Sequence, residues 1–231
     1  MKTVVAVVVS LFYSVIANAS IFSFIRWPHN EVKVCFVEKK ENSKDPIRVK
    51  NFSGKDKENI QRWVEGEYSS SRTGIYFVGF KSCDQTESPN VIIYLNADTV
   101  YLGWGKVAAA EATIGRSLRS VSRDYPSAEG AIYMNSRGLN KSDVVHEFGH
   151  VAGLDHEHEH PQATKDCSAV KKGRVYHTGR GYFPYDRESV MNYCICTKYS
   201  DRGLSEGDVE TLRKLYIDRM TYKEYLEMTK Q

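Results

Sequence analysis

The chain has 231 residues, of which 41% are hydrophobic and 26% charged. Those are ordinary globular proportions at a length that can bury one large core, so a wholly disordered chain is excluded. Lys and Arg number 32 against 29 Asp and Glu, which leaves no electrostatic case for nucleic acid as the main partner.

Lys2 is the single charge among the first nineteen residues, residues 3–16 are almost wholly apolar, and Ala17-Asn18-Ala19 fits a small-x-small cleavage site. Residues 1–19 therefore read as a secretory signal peptide cut after Ala19. The apolar run falls short of the roughly twenty residues that cross a bilayer. Residues 20–231 read as a single secreted domain that makes no membrane contact after cleavage, since no later segment is long and apolar enough to span.

Residues 32–37 are β-rich and predict a strand, while 39–58, charged and holding Pro46 and Gly54, predict a loop. Ile60, Trp63, Val64 and Tyr68 fall at helical spacing and give a helix near 56–69. Residues 75–80 and 91–95 are two further strands. The Gly- and Ala-rich stretch 103–118 ends in another strand over 112–118, and 131–134 is the next.

A helix is predicted near 141–152, with Asn140 as cap, Asp143 in its first turn, and Val144, Phe148, Val151 and Ala152 on its apolar face. Residues 160–188, rich in Gly, Pro, Lys and Arg, predict a long surface excursion whose Lys171-Lys172-Gly173-Arg174 cluster is a solvated loop. Ser205 and Asp208 form a capping-box pattern for a last helix, with Val209, Leu212 and Tyr216 as its buried stripe. Strands mixed with helices, without βαβ alternation, indicate an α+β domain.

Five Cys lie beyond residue 19: Cys35, Cys83, Cys167, Cys194 and Cys196. Export favours disulfides, and an odd count leaves at least one thiol free or paired between chains. Cys194 and Cys196 are too close to pair with each other easily, either can reach Cys167, and Cys35 can meet Cys83. No CxxC pair supports a Cys-based zinc site.

The stretch from His146 to His156 (His-Glu-Phe-Gly-His-Val-Ala-Gly-Leu-Asp-His) carries the chemistry. His146 and His150 are four apart, so a helix points both the same way, and two imidazoles one turn apart can hold one zinc ion. Glu147 stands beside the first of them and can project toward a water on that ion. Gly153 can take positive φ, end the helix and turn the chain back, so that His156 approaches the same ion. Three neutral His leave one position for water, the open arrangement of a catalytic zinc site. His158 and His160 read as neighbours of the site or solvated residues, and His29 and His177 have no ligand spacing.

This HExxHxxGxxH pattern, with Ser189-Val190-Met191-Asn192-Tyr193 as a Met-turn, resembles the metzincin zinc peptidases. Glu157 directly after the third His, the run Pro184 to Tyr193, Arg26-Trp27-Pro28 and the Leu204-Ser205-x-x-Asp208 helix are similar to the astacin family. The resemblance spans roughly 26–217. It implies an α+β metzincin-like domain with a twisted mixed sheet, an active-site helix and a C-terminal helix. It implies Zn2+ on His146, His150 and His156, with Glu147 as general base and later proton donor. Met191 would be a packing floor, and Tyr193 a further zinc ligand that swings away to stabilise the oxyanion.

The implied activity is that of a secreted, monomeric zinc endopeptidase acting on protein or peptide substrates, with an extended substrate pairing an edge strand over 112–118. The Cys positions depart from the family, as does the short stretch between Ala19 and Arg26, which leaves little room for a pro-segment. The departure at the N-terminus also removes the basis for giving Glu157 the family's contact with a trimmed N-terminus. Two other classes compete. A non-catalytic metzincin-fold module that holds peptide or glycan is opposed by the intact Glu147 and ligand set. A disulfide-stapled structural domain with incidental His is separated by metal content.

Overall fold

The computed structural model describes residues 21–23, 25–39, 49–96, 100–102, 106–108, 110–135, 139–160, 162–163, 180–192 and 201–228. The expected signal peptide, the Lys171–Arg174 cluster, Cys167, Cys194, Cys196 and Tyr193 lie outside the described residues. In chain order the elements are β1 (Ile21–Ser23), β2 (Glu31–Phe36), β3 (Val49–Lys50), α1 (Gly54–Glu67), β4 (Tyr76–Ser82), β5 (Val91–Asn96), β6 (Val100–Leu102), β7 (Lys106–Ala108), β8 (Ala110–Ala112), β9 (Gly130–Asn135), α2 (Lys141–Val151), β10 (Arg180–Tyr182), α3 (Glu206–Tyr216) and α4 (Tyr222–Met228).

The central sheet runs β4-β2-β5-β9-β8, with β3 also on β5. β2 is parallel to both β4 and β5, and β5 is parallel to β9. β8 and β3 are antiparallel to their neighbours, so the sheet is mixed. The parallel pair β2 and β4 is joined through α1, one crossover in a domain whose other parallel pairs do not alternate with helices, so the α+β reading holds. Parallel neighbours need a long crossover, and part of it, β3 and the start of α1, falls inside the charged stretch read as loop. The strand expected over 112–118 is corrected. The strand itself is only Ala110–Ala112, Thr113 N still donates to Ala131 O of β9, and Gly115 at φ 63° then bends the chain. A Cβ there would collide with Ile25 O, so the turn has no room for a side chain.

The sheet is buried on both faces, as strands alternating in and out require when both sides are covered. Val32, Val34, Phe36, Val91, Ile93, Ile132 and Met134 face a large core shared with the helices. Cys35, Ile92, Tyr94 and Ala131 face a smaller core closed by Tyr125 and Ala128. Cys35 and Cys83 form a disulfide there, as the sequence allowed. Tyr94 and Tyr133 stack beside it with centroids 5.1 Å apart.

Side-chain caps set where the helices begin. Ser53 Oγ accepts from Asp56 N at the start of α1, and Asn140 Oδ1 accepts from Asp143 N at the start of α2. Ser205 and Asp208 make a full capping box on α3. Ile60 and Val64 seat α1 on the core, and Tyr68 Oη donates to Val145 O at 2.7 Å, locking the end of α1 to α2. Arg26 donates to the carbonyls of Leu215, Arg219 and Met220, while Trp27 Nε1 donates to Val151 O at 2.8 Å. These two residues therefore satisfy carbonyls at and just beyond the C-terminal ends of α3 and α2, which the helices cannot satisfy themselves.

Candidate metal centre

The metal-binding pattern occupies the second half of α2 and the turn that ends it. Gly153 sits at φ 98°, Gly153 N donates to His150 O and Leu154 N donates to Gly149 O. That pair of bonds is the Schellman arrangement that a C-terminal glycine permits. It reverses the chain immediately, so His156 returns to the helix face carrying His146 and His150. Phe22 forms a bridge to Leu154, and Ser23 N donates to Gly153 O, which pins the turn from outside.

The hydrogen bonds of the two helical imidazoles fix their tautomers. His146 Nδ1 lies 2.9 Å from Val190 O, and His150 Nδ1 lies 3.0 Å from Leu154 O. A carbonyl oxygen only accepts, so each Nδ1 carries the proton and each Nε2 keeps its lone pair. His150 Nε2 and His156 Nε2 are 3.0 Å apart. Two ligands about 2.0–2.1 Å from one tetrahedral zinc stand roughly 3.3 Å apart, so this spacing suits a shared small cation. One ligand atom from each of the three His lies within 4.8 Å of the others. Burial and, next, the neighbouring His150 push His146 down to about 3, partly opposed by its bond to Val190 O. The ring is therefore neutral and able to ligate at neutral pH. The donor set fits Zn2+.

Glu147 is buried, and its Oε2 has no hydrogen-bond partner among the described residues. Burial, then the charges of Asp143 and Glu111, hold its carboxyl well above the usual carboxylate range. A carboxyl with that proton affinity beside an imidazole cluster is suited to taking up and returning a proton.

Met191 lies under the pattern. A Cβ on Gly149 would stand 2.6 Å from Met191 Sδ and 3.4 Å from Tyr68 Oη, so the glycine inside the motif is what lets the methionine approach. Three contacts hold the turn around it. Glu157 N donates to Met191 O, Asp186 N donates to Glu157 Oε1 at 2.7 Å, and Val190 N donates to Asp208 Oδ2 at 3.0 Å. Glu157, fully buried, thus ties the third-histidine segment to the Met-turn.

The structure brings one ligand atom each of His146, His150 and His156 close together, sets Met191 against Gly149 and buries Glu147, whereas Tyr193 lies outside the described residues. His158 lies beside His156 with centroids 4.9 Å apart, and Glu159 Oε1 is 4.0 Å from His156 Nδ1. That group shares His156 with the main triad and is not an independent set of ligands. His160 is turned elsewhere, its Nε2 donating to Phe183 O at 2.7 Å. Sequence reasoning missed the carbonyls of Val190 and Leu154, which carry no side-chain signal, and it saw Asp208 only as a helix cap.

No family model matches the chain, and no curated protein matches it by sequence. Among solved structures, the chain is similar to that of myroilysin, with a TM-score of 0.53 at 16% identity over 85% of this chain and 98% of that one. A crystal structure of myroilysin also matches, with a TM-score of 0.49 at 15% identity over 83% and 86%. High choriolytic enzyme 1, a hatching enzyme zinc-protease from Oryzias latipes (medaka fish), gives 0.48 at 15% over 84% and 94%. The myroilysin likeness shows the fold alone, a mixed α+β arrangement.

Proposed function

We propose that the chain is a secreted zinc endopeptidase of the astacin-like kind, cutting protein or peptide substrates. One observation carries this reading: three imidazoles converge on one point beside a buried carboxyl of raised proton affinity. Two of the three have their ligating nitrogen fixed by backbone carbonyls. His146, His150 and His156 hold the metal. Zinc, when bound, supplies a Lewis acid for the scissile carbonyl and for water at neutral pH. Glu147 takes the proton of the attacking water and returns it to the leaving amine. Tyr193, two residues beyond the methionine floor, donates to the oxyanion. An extended substrate adds to the outer edge of β8, next to Glu111. The signal-like segment 1–19 supports export, and the Cys35–Cys83 disulfide agrees with an oxidising compartment.

The test is cleavage of casein and of a peptide library by the chain beginning at Ser20, with and without a chelator. Activity is expected to vanish on chelation and return with zinc. Glu147→Gln should keep its zinc and lose about 10²–10⁴ of the turnover. Full turnover in that variant sinks the assigned base. A chain that holds zinc but cuts nothing favours the binding-module reading instead.

A further inference from the structure

A chain of hydrogen bonds leads from the first metal-binding histidine to a buried carboxylate on another helix. His146 Nδ1–H donates to Val190 O at 2.9 Å. The same peptide unit carries the N–H of Met191, which donates to Ser189 Oγ at 3.0 Å. Ser189 Oγ–H then donates to Asp208 Oδ1 at 2.7 Å. Every donor in this series points toward Asp208. The other carboxylate oxygen accepts from Val190 N at 3.0 Å and from Ser205 N at 3.1 Å, so Asp208 grips the same turn by a second route. Ser189, Val190, Met191 and Asp208 are all fully buried, and His146 nearly so.

We propose that Asp208 is a positioning residue for the metal centre, acting on His146 through Ser189 and the peptide between Val190 and Met191. The proposal rests on the zinc reading above. Ligating imidazoles commonly give their second N–H to an acceptor that fixes the ring and raises its donor strength. Here that acceptor is a carbonyl, a weaker partner than a carboxylate. Aligned hydrogen bonds polarise one another in a low-dielectric interior, so the distant negative charge strengthens the carbonyl as acceptor. Asp208 stands in the first turn of α3, where the helix dipole favours negative charge, and it accepts from the N-cap amide of Ser205. The serine of the Ser-Val-Met turn and the aspartate of the capping box thus form one device, although nineteen positions separate them.

The experiment compares zinc affinity, by competition with a chromophoric chelator, and the visible spectrum of the cobalt-substituted protein. Three variants are measured beside the parent: Asp208→Asn, Ser189→Ala and the double variant Cys35→Ala/Cys83→Ala. Asp208→Asn keeps the shape but removes the charge, and zinc should bind about 10–100-fold more weakly with a shifted cobalt spectrum. Ser189→Ala should move both readouts the same way by less. The cysteine variant, destabilised on the far side of the sheet, should keep parent values, which separates positioning from mere loss of stability. Parent-like affinity and spectrum in folded Asp208→Asn overturn the proposal. If that variant does not fold, the same result in Ser189→Ala overturns it. A parent that takes up no zinc overturns the zinc reading and the proposal with it. A zinc-loaded parent that cuts nothing removes the peptidase reading while the affinity comparison still decides the role of Asp208.

Discussion

On the α2 face of the sheet, buried polar groups from three distant segments interlock: His146 with Val190, Glu157 with Asp186 and Met191, and Asp208 with Ser189 and Val190. On the opposite face the packing is Cys35–Cys83, a Tyr94–Tyr133 stack and small apolar residues beneath a loop. The first kind of packing specifies directions, because hydrogen bonds fail when atoms shift by half an ångström. The second specifies volume and connectivity. The three clustered imidazoles lie on the directional side, and the covalent link lies on the other.

Removing the link is the harshest way to break that contrast. The Cys35→Ala/Cys83→Ala protein opens a crosslink between residues 48 apart and should lose about 2–4 kcal/mol in urea unfolding. Peptide cleavage per folded molecule should be unchanged. A fall in activity beyond the unfolded fraction would mean that the two faces are mechanically coupled. Two glycines sharpen the contrast with one chemical change. Gly149→Ala drives a methyl into Met191 Sδ and should cost about 1–3 kcal/mol, with weakened metal uptake. Gly66→Ala, on α1 with nothing within 4 Å, should stabilise by up to about 1 kcal/mol through helix propensity and leave activity alone. Equal effects at the two positions would show that the methionine floor yields freely.

The smallest effect concerns Glu67, which joins the end of α1 to Lys141 at the start of α2, to Arg72 and to Leu204 N. Burial alone would raise its pKa, but the bonds to Lys141 and Arg72 outweigh burial and hold it below 4.5. A depressed carboxylate contributes stability that is present above the unfolded pKa and is lost as pH falls through the folded one. Melting temperatures of the parent should therefore drop more steeply in acid than those of Glu67→Gln. Parallel curves would remove Glu67 from the acid response.

Much of the site was legible because its parts are local. His146 and His150 need only helical spacing, and Gly153 needs only a reversal after the helix. The Met-turn could be recognised, but its attachment to Asp208 could not, since nothing in a capping box announces a second set of partners across the fold. Short pairings were equally silent. β1, β3 and β10 hold two or three residues each, too few for any alternation to register. The strand expected over 112–118 failed at Gly115, where close approach of Ile25 O decides the backbone and no periodicity reports it. α4 went unread at the far end of the chain.

The bonds of Arg26 and Trp27 to the ends of α3 and α2 also bear on how the molecule is made. Trp27 finds its partner 124 positions later, and Arg26 finds its own 189 to 194 positions later. The segment holding Arg26 and Trp27 therefore waits for partners made much later, and such high contact order slows folding. A nascent chain cut short before Leu215 would leave Arg26 without these acceptors, so this seam should close only after residues 215–220 have emerged.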